Sequence, residues 1–135
     1  MEMITWSNDL VIDNGLIDNQ HKMAIYIINR FIEMRRHFRS PAQAIEILDT
    51  LKTLTKYHFT YEEEVQRKIN YPLCDQHSKM HVKLNKQLDQ IIAKLKITKG
   101  ENLTEISMET GKYLKRWLVN HILVHDMEMK PLYSK

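Results

Sequence analysis

One cysteine, three glycines and three prolines are all that this chain of 135 residues holds of the residue types that most constrain backbone architecture. The lone Cys74 excludes an intrachain disulfide and is compatible with a reducing compartment. With so few glycines and prolines, and almost no alternating Val or Thr runs, strands have nowhere to form. The Leu-, Ile-, Lys- and Glu-rich remainder points to an all-α fold. No apolar run approaches the roughly 20 residues that span a bilayer, and the start, MEMITWSNDL, lacks a basic segment and an apolar core of signal-peptide type. Membrane insertion is not expected, and a cytoplasmic location is. Charge of one sign is also missing: 20 basic against 17 acidic side chains, interspersed, leave a net charge of +3 and a mixed surface. The one basic cluster, Arg35, Arg36, His37 and Arg39, falls where a helix should end. Complementing the helix dipole accounts for it, so nucleic acid is not expected as a partner. The length suits a single domain over residues 1–135.

What the chain does have is helical periodicity interrupted by ligand-type residues. Residues 1 to 17 show no stripe and read as an extended arm, pegged by Trp6, Leu10, Val11, Leu16 and Ile17, with Asn14-Gly15 as a turn. Asp18 can cap a first helix from Asn19, whose inward face carries His21, Ala24, Ile25, Ile28, Phe31 and Ile32. Ser40-Pro41 starts a second helix that should run to about Asn70, with Ile47, Leu51, Leu54, His58, Glu62, Val65 and Ile69 on one stripe. Glu63 and Glu64 read as a solvated charge run. A third helix from Cys74 to Leu95 opens its stripe with His77 and His81, ahead of Leu84, Leu88, Ile91 and Leu95. Asn102 with Glu105 resembles a capping box for a fourth helix, with Ile106, Tyr113, Leu114, Trp117, Leu118, His121, Ile122 and Val124 inward.

Histidines on a buried stripe need partners, because each buried ring nitrogen must replace the hydration it loses. One such residue is ordinarily a satisfied core histidine. Here the intrusion recurs in four segments, and in an antiparallel up-down-up-down four-helix bundle the starts of odd helices and the ends of even ones meet at the same end. His21, His58, Glu62, His77, His81 and His121 then fall at one level. A cluster rich in imidazole and poor in sulfur suits iron, zinc, manganese or copper rather than calcium or magnesium. So many donors exceed one tetrahedral zinc and fit two metals bridged by carboxylate. Cys74, three residues before His77, could reach a metal held there.

The segments IDNQHK (17–22), HFTYEE (58–63), YPLCDQHSKMH (71–81) and WLVNHILVHD (117–126) resemble the four signatures of the hemerythrins, in particular the single-domain bacterial kind. That resemblance implies an oxo- or hydroxo-bridged non-haem di-iron site. One iron would be held by His77, His81 and His121 and the other by His21 and His58, with Glu62 and Asp126 bridging. It implies reversible O2 binding for carriage, storage or sensing, without enzymatic turnover, at an open position on the second iron. Phe59, Trp117, Leu118 and Ile122 would wall the O2 pocket. Spacing and resemblance disagree at one point: at about 100° per residue, His125 lies roughly 40° from His121 and Asp126 roughly 140° away, yet the family motif selects Asp126. Gln66, where relatives usually have methionine, is expected to alter packing without touching a ligand. The rival readings are a di-iron oxidase, peroxidase or nitric oxide-handling enzyme, and a metal-free interaction bundle.

Overall fold

Four amphipathic segments become four long helices, and their buried faces meet in one bundle. The computed structural model describes residues 3–121 and 125–133, with α1 at Leu16–Met34, α2 at Pro41–Lys68, α3 at Cys74–Lys96, α4 at Leu103–Asn120 and a short α5 at Lys130–Tyr133. Among the described residues there is no strand. Each long helix packs on the next and α4 returns to α1, closing the bundle, with the α3–α4 seam the most open of the four. The main core gathers Ile25, Ile28, Phe31, Ile32, Leu48, Leu51, Leu95 and Leu114, all nearly or fully excluded from water. A second, smaller cluster of Ile12, Ile17, Tyr71 and Met129 lies at the end where α2 meets α3.

The first helix starts earlier than the sequence suggests, and a different acid caps it. Asp13, not Asp18, accepts from the backbone N–H groups of Gly15, Ile17 and Asp18, at 2.9, 3.0 and 3.1 Å. Asp18 instead sits inside the first turn and accepts from Ile12 and Asn14, tying the arm to α1. The arm is anchored further out by Asn29, whose amide exchanges two hydrogen bonds with the backbone of Ile4, and by Trp6, over whose ring the Lys22 ammonium sits at 5.0 Å.

On α2 the buried line runs Ala44, Leu48, Leu51, Thr55, His58, Glu62 and Gln66, with Ile47, Leu54, Val65 and Ile69 half-buried on its flank. The helix closes through Asn70, whose φ of 54° lets the chain turn sharply, and Tyr71 N–H bonds the Gln66 carbonyl at 2.8 Å. The turn sends α3 straight back along α2. On α4 the predicted capping box does not form: Asn102 has a helical-type backbone and closes a 3-10 turn, and its side chain caps nothing. Small residues, Ser107, Thr110 and Gly111, line its buried face.

A Cβ built on Gly111 would lie 3.5 Å from Arg35 Cδ and 3.8 Å from Ile32 Cγ1, which is ordinary van der Waals contact. Gly111→Ala should therefore raise stability by up to about 1 kcal/mol through helix propensity alone, read from denaturant midpoints at unchanged slope. A loss of stability would mean that α1 and α4 approach more closely than this geometry allows.

Candidate metal centre

The direction of each helix decides which residues can meet. His21 lies in the second turn of α1, His58 and Glu62 in the second half of α2, His77 and His81 in the first turns of α3, and His121 just beyond the end of α4. All six are buried, and so is Asp126. Asp126 arrives by a change of helix type: the backbone at His121 and at His125 is π-helical, and Asp126 opens a 3-10 turn over Asp126–Met129. Asp126 Oδ1 stands 3.1 Å from His121 Nε2 and His125 joins neither donor group, so the even angle that favoured His125 does not decide which of the two reaches the site. His125 is half-exposed, with Nδ1 4.0 Å from Glu128.

Two groups of donor atoms result, in each of which the atoms lie within 4.8 Å of one another: Glu62, His77, His81, His121 and Asp126 in the first, and His21, His58, Glu62 and Asp126 in the second. The two carboxylates belong to both, and each divides its oxygens between them. Glu62 turns Oε2 to His58 Nε2 at 3.0 Å and Oε1 to His81 Nε2 at 3.3 Å. Asp126 turns Oδ2 to His21 Nε2 at 2.9 Å, and Oδ1 to His77 Nε2 at 3.0 Å and His121 Nε2 at 3.1 Å. His21 Nε2 and His58 Nε2 are within hydrogen-bond distance at 3.2 Å, but other donor atoms are not so paired. Nε2 of His77, His81 and His121, Oε2 of Glu62 and both oxygens of Asp126 are fully buried and make no hydrogen bond. Donor atoms that crowd together without bonding one another are satisfied by cations lying among them. The residues therefore fit two metal positions that share two carboxylates.

Electrostatics support the same reading. Burial and the neighbouring Asp126 charge raise the Glu62 pKa, but His58 and His77 outweigh them and leave it lowered. Burial likewise opposes ionisation of Asp126, and His121, His21 and His77 outweigh it, so its pKa falls well below the ordinary value. Two ionised carboxylates at 0% exposure demand neutralisation by protons on imidazole or by metal.

Aromatic rings close the site toward α4. Phe59 stacks on His81 with ring centroids 3.9 Å apart and an interplanar angle of 3°, and stands 5.6 Å from His121 and 5.8 Å from His58. Trp117 lies parallel to His121 at 5.9 Å, and Leu118 is buried. Ile122 lies outside the described residues. A groove of about 980 Å³ along the α3–α4 seam, lined by Met80, Leu84, Tyr113 and Trp117 among others, reaches His121. Cys74 is half-buried and belongs to neither donor group, and burial raises its thiol pKa.

Three residues at the site, Glu63, Gln66 and Gln20, escape a reading by stripes. Glu63 is not merely a solvated charge: its Oε2 lies 3.2 Å from His81 Nδ1. Gln66 does touch a candidate ligand, with its amide 2.5 Å from His77 Nδ1 and 3.5 Å from Glu62 Oε1. Glu63 lies beside the stripe and Gln66 one turn beyond Glu62, so the signal that could have found them is adjacency to His58 and Glu62. Gln20, next to His21, makes the same kind of contact, 2.5 Å from His58 Nδ1.

The family model for the hemerythrin HHE cation-binding domain matches residues 13–133. The chain belongs to the hemerythrin family. A bacteriohemerythrin of Stenotrophomonas maltophilia is 32% identical over 126 residues, 93% of this chain and 78% of that protein. One of Campylobacter jejuni is 21% identical over 133 residues, 98% of this chain and 97% of its own. The crystal structure of a wild-type hemerythrin superposes with a TM-score of 0.82 at 25% identity, covering 99% of this chain and all of that one. Oxygen binding is the role of this family, and its domain implies non-haem iron.

Without metal, burial opposes a proton on His77, and the facing carboxylates of Asp126 and Glu62 outweigh burial and push its pKa up to about 10. A raised folded-state pKa stabilises the metal-free protein fully below the unfolded value near 6.5, and that contribution is lost as pH rises through about 10. Metal must displace the same proton. The thermal stability of the metal-free protein should therefore fall between neutral pH and pH 10 while its affinity for metal rises. A metal affinity that stays flat over that window would contradict this.

Proposed function

We propose that this protein binds O2 reversibly at two non-haem irons. His77, His81 and His121 hold one and His21 and His58 the other, and Glu62 and Asp126 bridge them. The observation that carries the reading is the division of each buried carboxylate between the two donor groups, one oxygen to each. Bound there, an iron pair supplies electrons to O2 and recovers them when O2 leaves.

The chain's own residues provide the rest. Five imidazoles give neutral, strong donors, and the two carboxylates offset charge and set the spacing between the ions. The position with only two imidazoles is left the less saturated and is where O2 fits. Phe59, which reaches His58 at 5.8 Å, with Trp117 and Leu118 makes the surround of the site apolar, and dry walls limit the escape of charged oxygen species and irreversible oxidation. A site with five imidazoles and two carboxylates favours carriage over the oxidative turnover of carboxylate-rich di-iron enzymes. Among the described residues no helix is long and apolar enough to cross a membrane. With a single free thiol, we place the protein in the cytoplasm.

Ferrous iron added anaerobically should bind at two per chain. Admitting air should produce a visible charge-transfer band that fades under argon and returns with air. Consumption of O2 in excess of iron would indicate an oxidase, and no stoichiometric iron a metal-free bundle. His77→Ala should lower iron to well below two per chain, by elemental analysis; retention of both irons with unchanged spectra would refute the role of that residue.

A further inference from the structure

Three of the inward-facing imidazoles are held from behind, and the three holders differ in chemistry. His58 Nδ1 has the Gln20 amide oxygen at 2.5 Å, His77 Nδ1 the Gln66 amide at 2.5 Å, and His81 Nδ1 the Glu63 carboxylate at 3.2 Å. An amide can offer either a donor or an acceptor by turning over, so it accommodates either tautomer of the ring it supports. An ionised carboxylate only accepts. Glu62 faces the other nitrogen, with Oε1 3.3 Å from Nε2, so once a cation lies between Glu62 and Nε2 the hydrogen of His81 sits on Nδ1, where Glu63 accepts it.

The ring plane of His81 is fixed independently by Phe59, stacked against it at 3°. The remaining freedom is which nitrogen carries the hydrogen, and that is what Glu63 controls. Glu63 is well placed to do so: its side chain is 16% exposed while His81 is 2% exposed, so the contact is only partly screened by water.

We infer that Glu63 is a positioning residue that fixes His81 in its metal-binding tautomer and strengthens it as an electron donor. The inference rests on His81 being an iron ligand, as proposed above. A carboxylate behind a ligating imidazole raises its basicity and favours the more oxidised metal. The position held by His77, His81 and His121 is thereby the more readily oxidised of the two. Of the imidazole contacts found among the described residues, this is the one from outside the two donor groups that brings full negative charge to a ring of that position.

The test uses the full chain and compares Glu63→Ala with Glu63→Gln. In the metal-free protein, at mildly alkaline pH, the imidazole nitrogen shifts of His81 report its tautomer by NMR. The wild type should populate the Nδ1–H form, and Glu63→Ala should shift the hydrogen toward Nε2, where Glu62 remains as acceptor. In the iron-loaded protein, competition with a chelator should show affinity at one of the two positions weakened roughly 10- to 100-fold in Glu63→Ala. Glu63→Gln, which keeps an acceptor oxygen but not the charge, should retain most of that affinity and raise the reduction potential. An unchanged tautomer in Glu63→Ala overturns the inference. So does wild-type iron retention and potential in both variants. If the wild-type protein itself takes up no iron pair, the di-iron reading fails, and the tautomer measurement alone decides the role of Glu63.

Discussion

Two carboxylates, Glu62 and Asp126, are buried at 0% exposure in the middle of the bundle, and the rest of the arrangement answers to that fact. Moving an ionised carboxylate out of water is costly unless it is paired, and two together also repel one another. Five imidazoles converge on this pair, too few hydrogen bonds are made to account for the crowding, and each acid splits its oxygens between two groups of nitrogens. Such an array is comfortable only around cations. The fold's other features, the apolar walls and the outer supports, make sense as means of holding that array still.

Helix polarity does most of the positioning. Because the connections are short, the beginning of α1, the end of α2, the beginning of α3 and the region after α4 come to one level, and the donors occupy those stretches. The main apolar core lies along the remaining length, and the small cluster around Tyr71 and Met129 closes the end behind Gln66 and His77. The polar layer thus borders apolar packing on both sides. Low polarity around it strengthens every electrostatic interaction within and raises the cost of leaving any donor unpaired.

The helices and the convergence of ligand-type residues were legible in the sequence because both follow from a 3.6-residue period, and His21, His58, Glu62, His77, His81 and His121 all sit on or at the edge of their stripes. Three things were not. The buried line of α2 passes through Gln66 rather than Val65, since the polar site, not hydrophobicity, decides which residue turns inward there. Asp126 follows a change from α-helix to 3-10 geometry, and a uniform angle per residue puts it on the wrong side. Glu63 and Asp13 look like ordinary surface acids until their acceptors are matched with an imidazole of α3 and with the free N–H groups that open α1. Periodicity finds faces; it does not find what supports a face from behind.

The central claim is that two ions lie between the donor groups with Glu62 and Asp126 spanning them. Anomalous diffraction at the iron edge, on crystals of the iron-loaded protein, tests it most directly. The account predicts two peaks per chain, one bounded by Nε2 of His77, His81 and His121 and the other by Nε2 of His21 and His58, with an oxygen of each carboxylate toward each peak. A single peak, or iron held elsewhere with these side chains turned away from it, would contradict it.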